Sequence, residues 1–156
     1  MHPNEQLVTR FYEALQRRDA EAMAACYTPD ARFSDPVFQD LSGGEVGDMW
    51  RMLLLGARDD FRFTFRDVQA NDYSGSAHWE ADYTFSRTGR KVHNAATARF
   101  VFRDGKIERH SDDFDYRAWL AQALGPVGKL FGGMRQVQDK VRKDAARRLK
   151  EYRGLR

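Results

Sequence analysis

The chain is short of the features that would place it in several large protein classes. It has a single cysteine, Cys26, so no intrachain disulfide can form, as suits a reducing compartment. Four prolines, twelve glycines and no low-complexity run leave no room for a long flexible linker. No apolar stretch approaches the ~20 residues needed to cross a bilayer. The opening MHPNEQLVTRFYEAL lacks the uninterrupted apolar segment and small-residue cleavage site of a secretory signal, so a cytoplasmic location is expected. Metal-binding spacings are missing too: the four histidines form no HxH, HxxxH or HExxH pattern. No GxGxxG or Walker-type loop is available to cradle a phosphate. Neither a metal nor a cofactor is expected.

What is present is the balance of one globular domain. The 156 residues are 42% apolar, 31% charged and 13% aromatic, enough for a sizeable core. The net charge of +3 conceals an asymmetry. Residues 1–128 carry 16 Lys/Arg against 20 Asp/Glu, whereas residues 129–156 carry 10 against 3. The basic character therefore belongs to the C-terminal segment, and no specific nucleic-acid partner is expected for the rest of the chain.

Hydrophobic periodicity divides the chain. Leu7, Phe11, Ala14 and Leu15 form a helical stripe, and Asp19 is a good N-cap for a second helix over 20–27, ended by Pro29 and Asp30. A short strand over 31–35 precedes Pro36. Val46, Met49, Trp50, Leu53 and Leu54 then follow helical spacing in a third helix over 45–56. From residue 60 the period changes to two. Phe61, Phe63 and Phe65 alternate with polar residues, and Ala77, Trp79, Ala81, Tyr83 and Phe85 alternate with His78, Glu80, Asp82 and Thr84. Turns at Thr88-Gly89-Arg90 and at Asp104-Gly105 separate strands over 92–102 and 106–114, and a short helix follows over 116–124. Helices followed by a run of strands predict an α+β fold, with a strongly twisted antiparallel sheet curling around the helices as a cone. Its mouth is a natural cavity for an apolar small molecule. The expected organisation is a domain over 1–125 with a basic helical extension over 126–156.

Two segments carry a resemblance. LVTRFYEALQRRDAEAMAACYTPDARFSDPVF and FVFRDGKIERHSDDFDYRAWLAQALG resemble the nuclear transport factor two-like superfamily, in particular its SnoaL-like polyketide cyclase and ketosteroid isomerase-like branch. The resemblance implies a cone-shaped α+β barrel over residues 5–124, and proton-transfer chemistry as one use of it. Asp35 matches the general-base aspartate of ketosteroid isomerase. That enzyme's oxyanion-hole tyrosine falls on Phe11 and its protonated aspartate near Ala98, neither of which can donate a hydrogen bond. Tyr12 is one helical step of about 100° away. SnoaL-like cyclases place their acid/base aspartate on the last strands.

In this chain strand alternation puts His110 and Asp112 on one face there, two residues apart and able to hydrogen-bond. The candidate catalytic residues are therefore Asp35, His110 and Asp112. Tyr12, Trp50, Trp79 and Tyr83 are candidate substrate-binding walls. Plainer readings stand beside these: Asp35 before Pro36 is ordinary turn chemistry, and Asp113 and Asp115 suit a strand-end turn and a helix N-cap. Cys26 reads as a small buried hydrophobe.

The two functional readings are an isomerase, cyclase or dehydratase using carboxylate and His acid–base chemistry, and a non-catalytic ligand-binding or interaction module of the same fold. A homodimer is expected. In residues 134–152, Met134, Val137, Val141, Ala145, Leu149 and Tyr152 recur every three or four positions in an otherwise cationic helix. That stripe either packs on this molecule or its dimer mate, or serves a membrane surface or another anionic partner.

Overall fold

The computed structural model describes residues 1–155. Helix α1 (Pro3–Gln16) opens with a capping box: His2 Nδ1 accepts from the Asn4 N–H at 2.9 Å and Glu5 accepts from the His2 N–H at 2.9 Å. It buries Leu7, Val8, Phe11, Tyr12, Ala14 and Leu15. Helix α2 (Ala20–Ala24) is N-capped by Asp19, whose carboxylate accepts from the Ala22 N–H at 3.0 Å.

This helix ends sooner than its sequence predicts, and Tyr27 instead opens strand β1 (Tyr27–Ser34). Proline disfavours a helical residue before it, so Pro29 turns Thr28 extended, and a register shift between Tyr27 and Arg32 accommodates the missing N–H. A two-residue strand β2 (Leu41–Ser42), too short to show a period, precedes α3 (Gly44–Leu55).

The meander follows as predicted: β3 (Arg62–Ala70), β4 (Ser74–Phe85), β5 (Arg90–Arg103) and β6 (Lys106–Asp113). Asp104 and Gly105 both take positive φ, 53° and 73°, as a two-residue hairpin turn between twisted strands requires. The six strands lie in the order β2-β1-β6-β5-β4-β3. The β1 strand joins β6 in parallel, so the N-terminal layer is closed onto the last strand of the meander.

One face of the sheet meets α1 and α3. Ala77, Ala81, Ala96 and Ala98 keep the middle of that face low. The Tyr12 ring settles beside Phe63 and Phe65, with centroids 5.4 and 5.3 Å away. Two surface grooves, of about 600 and 290 Å³, open on the opposite face, among Thr64, Arg66, His78 and Thr97 and among Arg32, Arg99 and Arg109.

After α4 (Tyr116–Leu124), N-capped by Asp115, come α5 (Pro126–Phe131), which the sequence does not announce, and α6 (Arg135–Gly154). The middle of the apolar stripe of α6 packs on this same molecule, while Met134 at its start stays exposed. Leu149 is buried in the main core and Ala145 packs against it, while Val141 packs on the smaller cluster around Trp119. Arg153 Nε donates to Asp48 Oδ2 of α3 at 2.9 Å. Arg142 Nε donates to the Pro36 carbonyl at 2.8 Å, its guanidinium lying 4.8 Å from the Tyr116 ring centre. Helix α6 thus bridges α3 and α4 across the Asp35-Pro36 turn. Among the described residues, no helix is long and apolar enough to cross a membrane.

Candidate active site

The inner face of β6 presents His110 and Asp112, 2% and 6% exposed, as strand alternation predicts. They are hydrogen-bonded: His110 Nε2 lies 2.9 Å from Asp112 Oδ1. The other ring nitrogen, Nδ1, is 2.7 Å from the hydroxyl of Tyr27, which also receives the Trp50 indole N–H at 3.1 Å. One assignment satisfies every group. Trp50 donates to Tyr27, Tyr27 donates to His110 Nδ1, and His110 Nε2–H donates to Asp112. Trp79 adds a second donor to Asp112 Oδ1 at 3.3 Å. The imidazole is walled in by Phe33 and Phe100, with ring centres 4.9 and 4.5 Å away, and by the edge of Phe11. Both histidine nitrogens are therefore taken by protein. Asp112 Oδ2 makes no hydrogen bond to protein among the described residues.

Asp35 sits at the end of β1. Its Oδ1 accepts from the N–H groups of Val37 and Phe38 at 2.8 and 2.6 Å, so the turn chemistry read from Asp35-Pro36 is present. The turn does not exhaust the residue. Loss of water around the carboxyl pushes its pKa up to about 7, against the pull of those two N–H donors, and the nearby charge of Asp112 raises it further. His110 and Asp112 are thus hydrogen-bonded to each other, and Asp35 lies near enough to Asp112 to feel its charge.

Three of the four expected wall residues, Tyr12, Trp50 and Trp79, adjoin the His110–Asp112 network, whereas Tyr83 pairs with Trp119 and feels the charge of Asp35. Tyr12 is fully buried, and its hydroxyl has no hydrogen-bond partner among the described residues. Burial, then the charge of Asp112, pushes that hydroxyl's pKa well above its ordinary range. An orphaned polar atom at such depth is costly unless something fills the place beside it. Tyr83 receives the Trp119 indole N–H at 2.7 Å, and its pKa is pushed up to about 12 by burial. Trp50 and Trp79 spend their N–H groups on Tyr27 and Asp112.

Two residues escaped the sequence reading. Tyr27 orients His110 from 83 positions away, through the parallel pairing of β1 with β6. Asn94 is buried on the inner face of β5, opposite Ala81, and its side chain has no hydrogen bond among the described residues. An asparagine at an alternate position of a strand is the one signal the sequence offers for it. His78 and His93 lie on the outer face, paired with Thr97 and with Asp82 and Glu80 respectively. Cys26 is buried, as expected.

A curved sheet wrapped on N-terminal helices, with acidic groups on its inner face, defines the cone-shaped NTF2-like class. The profile of the SnoaL-like domain matches residues 8–110, and the chain belongs to that family. Solved structures share the fold. An NTF2-like protein of unknown function from Burkholderia pseudomallei superposes with a TM-score of 0.69 at 19% identity, over 79% of this chain and 98% of that one. A protein from Xanthomonas campestris proposed to be a polyketide cyclase gives 0.62 at 25% identity, over 78% and 96%. An epoxide hydrolase of the LEH-like type from M. tuberculosis gives 0.64 at 18% identity, over 83% and 96%. No curated protein sequence matches the chain significantly.

Proposed function

We propose that the protein is an acid–base catalyst that works without a cofactor on an apolar, carbonyl-bearing small molecule held between α1 and the inner face of the sheet. One observation carries this reading: two carboxylates near enough to feel each other's charge stand in different environments. Asp112 is fixed by two N–H donors with Oδ2 left as a free acceptor, whereas Asp35 keeps its proton up to about pH 7. Asp112 is the base and His110, fixed by Tyr27, is its positioning residue. In the reaction Asp112 takes a proton from the carbon next to the carbonyl. The C–H electron pair becomes the C=C bond of an enolate, and negative charge moves to the carbonyl oxygen. The unpaired hydroxyl of Tyr12 donates to that oxygen, and protonated Asp35 gives its proton to a carbon of the enolate, which completes an isomerisation. In an aldol-type closure the enolate carbon instead bonds to a second carbonyl, whose oxygen takes the Asp35 proton, and in a dehydration a hydroxyl two carbons from the carbonyl leaves as water with that proton. Exchange with solvent then removes the proton from Asp112 and restores the one on Asp35. Relatives proposed to be polyketide cyclases and ketosteroid isomerases support proton transfer as the class.

The test is solvent exchange: aryl and polycyclic ketones are incubated with the full chain in D2O, and deuterium entering next to the carbonyl is followed by NMR. Asp112→Asn is expected to slow exchange about 100-fold or more, Tyr12→Phe somewhat less. A non-catalytic binding module is favoured by one feature, that both nitrogens of His110 are engaged by protein. A ketone that raises the melting temperature yet exchanges no faster than in buffer decides for that second reading.

A further inference from the structure

Helix α6 spends the middle of its apolar stripe on its own domain, so what it shows to solvent is a different surface. Gln136, Lys140, Lys143, Arg147 and Lys150, spaced alternately by four and three, are all exposed and form one ridge. The acids of this segment are already engaged: Asp139 with Arg142, Asp144 with Arg87 and Arg147, Glu151 with Arg147. Lys140, Lys143 and Lys150 make no ion pair among the described residues.

Just before this ridge lies an apolar surface. Val127, Leu130 and Phe131 recur at i, i+3 and i+4 on α5, and Met134 follows past the Gly132-Gly133 turn; the four are 46–73% exposed. They point outward because α5 is pressed onto α4 by its other side: Gly128 rests on the Leu120 carbonyl so closely that no Cβ would fit. Met134, the N-cap of α6, joins this apolar segment to the helix that carries the cationic ridge.

We propose that α5 and the outer ridge of α6 form a docking surface for an anionic lipid bilayer. Leu130 and Phe131 enter the boundary between headgroups and acyl chains, while Lys129, Lys140, Lys143 and Lys150 meet the lipid phosphates. Apolar side chains beside a cationic helix face are what an interfacial helix needs, and each lysine near an anionic surface strengthens binding. Charge argues against a second copy of this chain as the occupant, since a two-fold contact would bring together two segments that each carry 10 Lys/Arg against 3 Asp/Glu. Nucleic acid would use the lysines and one aromatic, Phe131, but has no call on Val127, Leu130 and Met134, which offer bases nothing to stack on.

The experiment is co-sedimentation of the full chain with vesicles of phosphatidylcholine mixed with phosphatidylserine, and with phosphatidylcholine alone, at low and high salt. Binding to the mixed vesicles is expected, weakened by salt. It falls roughly a hundredfold in K140Q/K143Q/K150Q and about tenfold in Leu130→Ser with Phe131→Ser. All these side chains are exposed, so circular dichroism is expected to be unchanged in both variants. Failure of the wild-type chain to bind the mixed vesicles overturns the proposal. So does full retention of binding by the serine variant, or tighter binding to duplex DNA than to vesicles. A wild-type dimer that becomes a monomer in the serine variant assigns the apolar surface to self-association and overturns it as well.

Discussion

Two regions of this molecule depart from the ordinary division of apolar inside and polar outside, and they do so in opposite directions. In the interior, His110, Asp112 and Asn94 are buried on the inner face of the sheet. At the C-terminus, Val127, Leu130, Phe131 and Met134 stand in solvent. Buried polar groups and exposed apolar clusters are the informative departures, since exposed single leucines and buried alanines are common to all folds. The interior departure is held by a connected set of hydrogen bonds running from Trp50 through Tyr27 and His110 to Asp112. The surface departure has no such support. A polar group can be made at home in an interior by internal partners, whereas an exposed apolar cluster finds its partner only outside the chain.

The largest effect is expected where the two regions join. Leu149 is the buried anchor of α6, and Leu149→Ala should cost about 3 kcal/mol, with 2–5 as the span for such truncations. Chemical denaturation measures it, and a cost below about 1 kcal/mol would mean that α6 is not part of the folded unit. Next comes Tyr27→Phe, which leaves the Trp50 N–H and the Nδ1 of His110 without partners. A loss of about 2–3 kcal/mol is expected from two buried groups left unpaired, and a neutral outcome would dissolve the claim that the interior is held by its network.

Asp35→Asn should act in the other direction. The folded carboxyl holds its proton up to about pH 7, whereas in the unfolded chain it releases it near pH ~4. Between these values the folded state binds more protons, so this group makes the protein less stable as pH rises. Asparagine keeps the acceptor for Val37 and Phe38 but cannot ionise. The two proteins should therefore match near pH 4, and the variant should become the more stable one towards pH 8, by about 1.4 kcal/mol for each unit by which folding raises the carboxyl's pKa. Parallel stability profiles across that range would remove Asp35 from the buried site. The smallest effect is expected from Leu130→Ser with Phe131→Ser, which should leave stability within about 0.5 kcal/mol. A larger loss would show that the α5 surface belongs to the core and not to a partner.

Legibility followed range along the chain. The four long strands, their turns and the caps at Asp19 and Asp115 depend on neighbours a few residues apart, and all were readable. The shared face of His110 and Asp112 was readable for the same reason, because alternation along one strand decides it. Strand β1 was not read to its full length, since Pro29 looked like a helix stop and the pairing that makes it a strand comes from β6, some 80 residues later. The same distance hid Tyr27. Asp35 was singled out by resemblance, but its proton affinity depends on the water it loses and on the charge of Asp112, neither of which is a local property.

The sequence by itself determined the α+β class, the acid and imidazole on the last strand, and the fact that the positive charge sits at one end of the chain. Only the tertiary structure decided that both nitrogens of His110 are occupied, that the Tyr12 hydroxyl finds no partner among the described residues, and that α6 turns Val141, Ala145 and Leu149 inward and its lysines outward. Periodicity says which residues share a face. What that face meets is settled by packing between elements far apart in the chain, and burial, hydrogen-bond partners and proton affinity all follow from that packing.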